Sequence, residues 1–61
     1  MMEAYELDSR VYVVINGVEL ECDMELVNSS GHVPCLILGG ELQGYELILD
    51  CDYINALLDD A

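Results

Sequence analysis

Four acidic side chains alternate along one segment and form the most regular chemical pattern in the chain. Glu19, Glu21, Asp23 and Glu25 are separated by single apolar residues within residues 18–27. On a strand, alternate side chains share one face and stand about 6.6–6.8 Å apart. Each strand of duplex DNA carries a phosphate about every 3.4 Å of helix axis, so a regular row of carboxylates imitates a phosphate lattice. The pattern predicts a surface that binds a cationic partner.

The charge balance of the whole chain supports that prediction. The 61 residues include 13 Asp and Glu, a single basic residue, Arg10, and no Lys, which gives a net charge of −12. Direct binding to nucleic acid or to an anionic membrane surface needs clustered Lys and Arg, so neither is expected. Ordinary solvated surfaces mix the two signs. The exclusion of Lys indicates that the negative charge itself is used, either in binding or as a halophilic adaptation.

Residue types that enzymes use are present without the spacing that catalysis needs. The chain has no glycine-rich phosphate loop, no Gly-x-Ser-x-Gly elbow and no Cys–His pair at a familiar spacing. A catalytic carboxylate pair needs environments that separate its two pKa values, whereas acids along one strand all face solvent. A calcium ion needs several oxygen ligands that converge on one point, whereas these acids diverge from one another. Asp50-Cys51-Asp52 also lacks the spacing of a calcium-binding EF-hand loop. We therefore expect no enzyme activity, no metal site and no cofactor.

Three cysteines, Cys22, Cys35 and Cys51, bear on the cellular compartment. Their number is odd and they form no Cys-x-x-Cys pair, so buried free thiols are favoured over a disulfide framework or a zinc site with His32. The first residues have neither a basic nor an apolar region typical of a signal peptide. No apolar run is as long as the roughly 18–20 residues of a membrane span. We expect a cytoplasmic protein, in the host cell if the chain is phage-encoded.

The elements that position the acidic row follow from Asn16-Gly17, which lies between two alternating segments. Asn-Gly is typical of a type I′ hairpin turn, because both central residues need positive φ. A two-residue turn sets Val13 opposite Leu20 and Val11 opposite Cys22 on the apolar face. Extending this register down one long arm predicts further pairs between Leu7 and Leu26 and between Tyr5 and Asn28.

The opposite face of the predicted hairpin carries the candidate binding residues. The register sets Asp8 opposite Glu25, Arg10 opposite Asp23, Tyr12 opposite Glu21 and Val14 opposite Glu19. Glu6 and Asp8 would extend the acidic patch, Arg10 would orient Asp23, and Tyr12 is a candidate contact residue. Asp8-Ser9 is a point at which a bulge would break the first arm.

The rest of the chain predicts shorter elements. A loop covers residues 28–32, strands cover residues 33–38 and 42–49, and Gly44 is a candidate bulge. Asp50 is placed to cap a helix over residues 51–59. The apolar stripe of that helix consists of Cys51, Ile54, Leu57 and Leu58. We predict one α+β domain over residues 1–61, in which a three- or four-stranded antiparallel sheet, with its long hairpin around Asn16-Gly17, carries one short C-terminal helix.

The chain resembles the small, acidic, phage-encoded DNA-mimic inhibitors, which include several anti-CRISPR proteins. The resemblance rests on chain length, the near absence of basic residues and the row from Glu19 to Glu25. It implies a protein that occupies the DNA groove of a defence complex, which in a type I surveillance complex lies on the large, PAM-reading subunit. The alternative is an acidic immunity or antitoxin-type module that covers a basic partner protein.

Overall fold

Five strands and one helix make up the fold in a computed structural model that describes residues 2–60. The strands form one antiparallel sheet in which spatial order equals chain order. The predicted α+β class is confirmed, although the sheet has five strands where three or four were expected. The elements are β1 (Met2–Leu7), β2 (Arg10–Ile15), β3 (Val18–Cys22), a 3-10 turn (Met24–Leu26), β4 (His32–Ile37), β5 (Glu46–Asp50) and α1 (Cys51–Asp59).

The hairpin between β2 and β3 has the predicted turn and register. Asn16 and Gly17 have φ values of 51° and 80°, the two positive values that a type I′ turn requires. Val13 pairs with Leu20 and Val11 with Cys22. The alternation is confirmed as well, because Val13 and Leu20 are buried.

The predicted long first arm is wrong, because the chain reverses at Asp8-Ser9. Both residues have positive φ, 52° and 67°, so they form a second two-residue turn where only a bulge was expected. Strand β1 therefore folds back on β2, with Tyr5 opposite Tyr12 and Leu7 opposite Arg10. The predicted pairs of Leu7 with Leu26, Tyr5 with Asn28 and Asp8 with Glu25 do not form. The physical reason is that the reversal adds a full ladder of backbone hydrogen bonds, which an arm overhanging the end of β3 would lack.

The predicted strand over residues 18–27 is also shorter than expected. Pairing between β2 and β3 ends at Cys22, so the expected pair of Arg10 with Asp23 is absent. The side chain of Asp23 accepts a hydrogen bond from the backbone N–H of Glu25 at 3.2 Å and caps the 3-10 turn. Such local bonds from Asp compete with strand pairing. Leu26, expected on the core face, is 63% exposed, whereas Met24 packs partly against the core.

In the second half of the sheet, one predicted strand is confirmed and the other begins later than expected. Strand β4 matches the expected strand over residues 33–38 to within one residue at each end. The expected strand over residues 42–49 instead begins at Glu46, because residues 41–44 form a turn. Gly44 has φ of +92° and donates its N–H to the carbonyl of Ile37 at 2.9 Å, while the N–H of Ile37 donates to the carbonyl of Tyr45 at 2.9 Å. Two residues of one strand thus oppose one of the other, which confirms the predicted bulge at Gly44.

The helix covers one face of the sheet as predicted. Asp50 caps α1 by accepting a hydrogen bond from the N–H of Asp52 at 2.8 Å. Ile54 is fully buried, and the rest of the predicted stripe packs against the core. The buried core consists of Ala4, Val11, Val13, Leu20, Cys22, Val33, Cys35, Ile37 and Ile54. Within residues 2–60 no helix is long and apolar enough to cross a membrane.

Candidate functional site

The sheet face opposite the helix, here called the open face, carries the candidate site. One row crosses all five strands there, because each pair in the register joins the next. Its members are Tyr5, Tyr12, Glu21, Leu36 and Glu46. Neighbouring open-face positions are Glu3, Arg10, Val14, Glu19, Pro34 and Ile48, given by the two-residue alternation of each strand.

Two tyrosines and two glutamates of the predicted row form a hydrogen-bonded group on this face. The rings of Tyr5 and Tyr12 stack with centroids 5.3 Å apart and planes 19° apart. The Tyr5 hydroxyl donates to Oε2 of Glu19 at 2.6 Å, and the Tyr12 hydroxyl donates to Oε2 of Glu21 at 3.3 Å. The bond to Glu19, followed by partial desolvation, raises the pKa of Tyr5 to about 12. These contacts fix the two carboxylates and use one oxygen of each.

Arg10 orients Glu21, where sequence reasoning assigned it to Asp23. Its guanidinium lies 3.2 Å from Oε2 of Glu21, a diagonal neighbour across the β2–β3 ladder. The contact with Glu21 raises the pKa of Arg10 above its ordinary value. Arg10 is exposed and Glu21 is half-buried, so solvent screens the ion pair, which orients the Glu21 carboxylate more than it stabilises the fold. The only Arg of the chain is therefore already ion-paired with a carboxylate of the same chain.

Most of the predicted acids gather at one end of the sheet. A cleft of about 390 Å³ lies between the Asp8-Ser9 turn and the 3-10 turn. Asp8, Glu21, Asp23 and Glu25 line it, together with Arg10. The four acids therefore do not form one straight row. Glu19 and Glu21 lie on β3, whereas Asp23 and Glu25 lie beyond the end of that strand and line the cleft.

Of two further predicted positions, Tyr12 lies on the open face and Glu6 does not. Glu6 is exposed but shares its face of β1 with the buried Ala4, so it points away from Glu19 and Glu21. Tyr12 lies where the register placed it, half-buried beneath Tyr5.

No cluster of three or more potential metal-binding side chains occurs in the described part of the chain.

Sequence reasoning missed the open-face positions of Tyr5, Leu36 and Ile48. Treating Asp8-Ser9 as a two-residue turn would have set Tyr5 opposite Tyr12, since the flanking strands alternate on both sides of it. Leu36 and Ile48 follow from the alternation of β4 and β5 once Cys35 and Leu49 are assigned to the core. They are 40% and 56% exposed, which gives the acidic face an apolar flank.

Comparisons with protein-family models, with curated proteins and with solved structures find no match to this chain.

Proposed function

We propose that this protein is a DNA-mimicking inhibitor that occupies a positively charged DNA-binding groove of another protein. The charge distribution is the observation that supports the proposal. The chain has 13 acidic residues and a single Arg, and that Arg is ion-paired with Glu21. A basic groove that binds DNA gains free energy from the release of condensed counterions. A folded surface with this excess of carboxylates attracts the same groove at long range.

The open face fits arginine side chains of such a groove. A guanidinium is planar, stacks on aromatic rings and pairs with carboxylates through two hydrogen bonds. The Tyr5–Tyr12 stack offers a ring beside Glu19, whose Oε1 is left available by the tyrosine hydroxyl that occupies Oε2. Preorganised carboxylates lose little side-chain entropy on binding. Arg-rich DNA grooves are therefore favoured as partners.

The apolar flank supports a second candidate, an immunity or antitoxin-type module that covers a basic protein. Leu36 and Ile48 are exposed next to the acidic residues. Apolar anchors at the centre of an interface commonly dominate binding energy, and phosphate mimicry alone does not need them. The two candidates differ in whether duplex DNA competes for the same surface.

The narrower form of the proposal is an anti-CRISPR protein that acts on a type I surveillance complex. The test is a titration of this protein into a purified type I complex with labelled target duplex, read by gel shift. Mimicry predicts that DNA binding is lost, that excess duplex reverses the loss, and that protein binding weakens steeply between about 50 and 200 mM salt. Binding that leaves DNA association intact would support the covering module instead, and absence of binding would exclude this target.

A matched pair of variants separates the position of the charges from their number. Glu21→Gln with Glu25→Gln removes two charges at the cleft and keeps a hydrogen-bond acceptor for Arg10. Asp59→Asn with Asp60→Asn removes two charges at the exposed end of α1. We expect the first variant to bind at least about tenfold more weakly and the second to change little, since charges outside an interface act mainly on association rate. Equal losses in the two variants would mean that net charge alone drives binding.

A further inference from the structure

Two cysteines meet in the buried core, on the face of the sheet opposite the open face. Cys22 on β3 and Cys35 on β4 are directly paired in the register. Their sulfur atoms lie 2.9 Å apart, and both are buried free thiols. Residues 23–34 form the segment between them, which includes the 3-10 turn.

The backbone around this pair already has the geometry of a cross-strand disulfide. The N–H of Asp23 donates to the carbonyl of Pro34 at 3.3 Å, and the N–H of Leu38 donates to that of Glu19 at 2.8 Å. Hydrogen-bonded pairs alternate along an antiparallel ladder, so Cys22 and Cys35 form a non-hydrogen-bonded pair, a type of pair whose Cα atoms are typically about 4.5 Å apart. Disulfides accept Cα separations of about 4.4–6.8 Å. The bond therefore closes without moving the strands.

The ladder is weakest beside these thiols. Only three residue pairs join β3 to β4, and Pro34 has no N–H to donate to the carbonyl of Asp23. Cys22 lines the acidic cleft next to the 3-10 turn, whereas Cys35 is fully buried. Burial raises the pKa of both thiols, so reaction needs local opening at this end of the sheet.

We propose that Cys22 and Cys35 are a redox pair that closes to an intramolecular disulfide by exchange with a cationic or neutral disulfide, Cys22 reacting first. The Cys22 thiolate attacks the reagent, forms a mixed disulfide and releases one thiol. The Cys35 thiolate then attacks the Cys22 sulfur and releases the second thiol. The two cysteines lose two protons and two electrons, which the reagent takes up as two thiols. The acids that line the cleft disfavour anionic reagents.

The test compares cystamine, which is cationic, with oxidised glutathione, which is anionic, on the reduced full chain. We expect a Cys22–Cys35 link in a peptic digest and, in Cys51→Ser, loss of two hydrogens by intact mass, because the half-buried Cys51 of wild type also takes up a reagent thiol. Cystamine should react at least about tenfold faster at low salt, and the ratio should fall towards one at high salt. The oxidised protein should melt about 10–20 °C higher, because the bond closes a short loop in a small domain.

Three variants test the order of reaction. Cys51→Ser should form the Cys22–Cys35 link at the wild-type rate, Cys35→Ala should stop at a mixed disulfide on Cys22, and Cys22→Ala should react far more slowly at Cys35. If the alanine variants do not fold, the wild-type digest and melting temperature decide. A link that includes Cys51, no link after prolonged exposure to cystamine, or an oxidised form that melts lower would overturn the proposal. None of these results depends on whether the protein mimics DNA.

Discussion

The two faces of the sheet consist of alternate residues of the same strands, yet one face is buried and the other is exposed to solvent. On β4, Cys35 is fully buried, whereas its neighbour Leu36 is 40% exposed. The helix makes this difference, because it covers one face with Ile54 and leaves the other to solvent. The core face therefore carries the stability of the domain. The open face, which has little packing to lose, is free to concentrate negative charge.

The largest expected effect is the difference in free energy of unfolding between two variants that each truncate one leucine, one on the core face and one on the open face. Leu20→Ala removes a side chain that is 2% exposed and should destabilise the fold by about 2–5 kcal/mol. Leu36→Ala lies on the open face and should cost less than about 1 kcal/mol. The measurement is urea unfolding of both variants. For a domain of this size the total is roughly 3–9 kcal/mol, so Leu20→Ala can abolish folding. Similar losses for the two variants would mean that the open face is packed as tightly as the core.

A smaller effect concerns pH and the Tyr5 hydroxyl. Its pKa is about 12 in the folded state against 10.0 as the ordinary value, owing mainly to the bond with Glu19. A raised pKa stabilises the fold fully below pH 10, and this contribution is lost as pH rises from about 10 to 12. The free energy of unfolding should therefore fall over that window, as measured by urea unfolding at several pH values.

Two variants provide the control for this pH effect. Tyr5→Phe and Glu19→Gln should both flatten the fall between pH 10 and 12, since one removes the hydroxyl and the other removes its charged acceptor. A fall of unchanged size in both variants would assign it to other groups.

The smallest effect separates two acids of the same predicted row. Glu19 accepts the Tyr5 hydroxyl, whereas Glu25 is exposed at the cleft beside other carboxylates. At low salt, Glu25→Gln should slightly raise the melting temperature by relieving repulsion, and Glu19→Gln should not. The gain from Glu25→Gln should shrink as salt is added. A higher melting temperature for Glu19→Gln than for Glu25→Gln would show that the tyrosine bond contributes nothing.

Part of the candidate site was predictable from the residues alone. Tyr12 opposite Glu21 and Val14 opposite Glu19 follow from Asn16-Gly17 and strict alternation, and both pairs are confirmed. The positions of Asp23, Glu25 and Glu6 did not follow, because each lies beyond a change of backbone direction. A side-chain period of two assigns faces only while the strand continues.

The sequence by itself determined the local structures that depend on neighbouring residues. These are the Asn16-Gly17 turn, the central register of β2 and β3, the cap at Asp50 and the apolar stripe of α1. They follow from φ preferences, side-chain alternation and short-range hydrogen bonds.

Only the tertiary structure decided the fifth strand, the stack of Tyr5 on Tyr12 and the meeting of Cys22 with Cys35. Each depends on how far a ladder runs before the chain turns. That length is set by competition between strand pairing and local alternatives, such as the positive φ of Asp8-Ser9 and the side-chain bond of Asp23. Such competition is resolved by the hydrogen bonds and burial of the whole sheet, which no single segment contains.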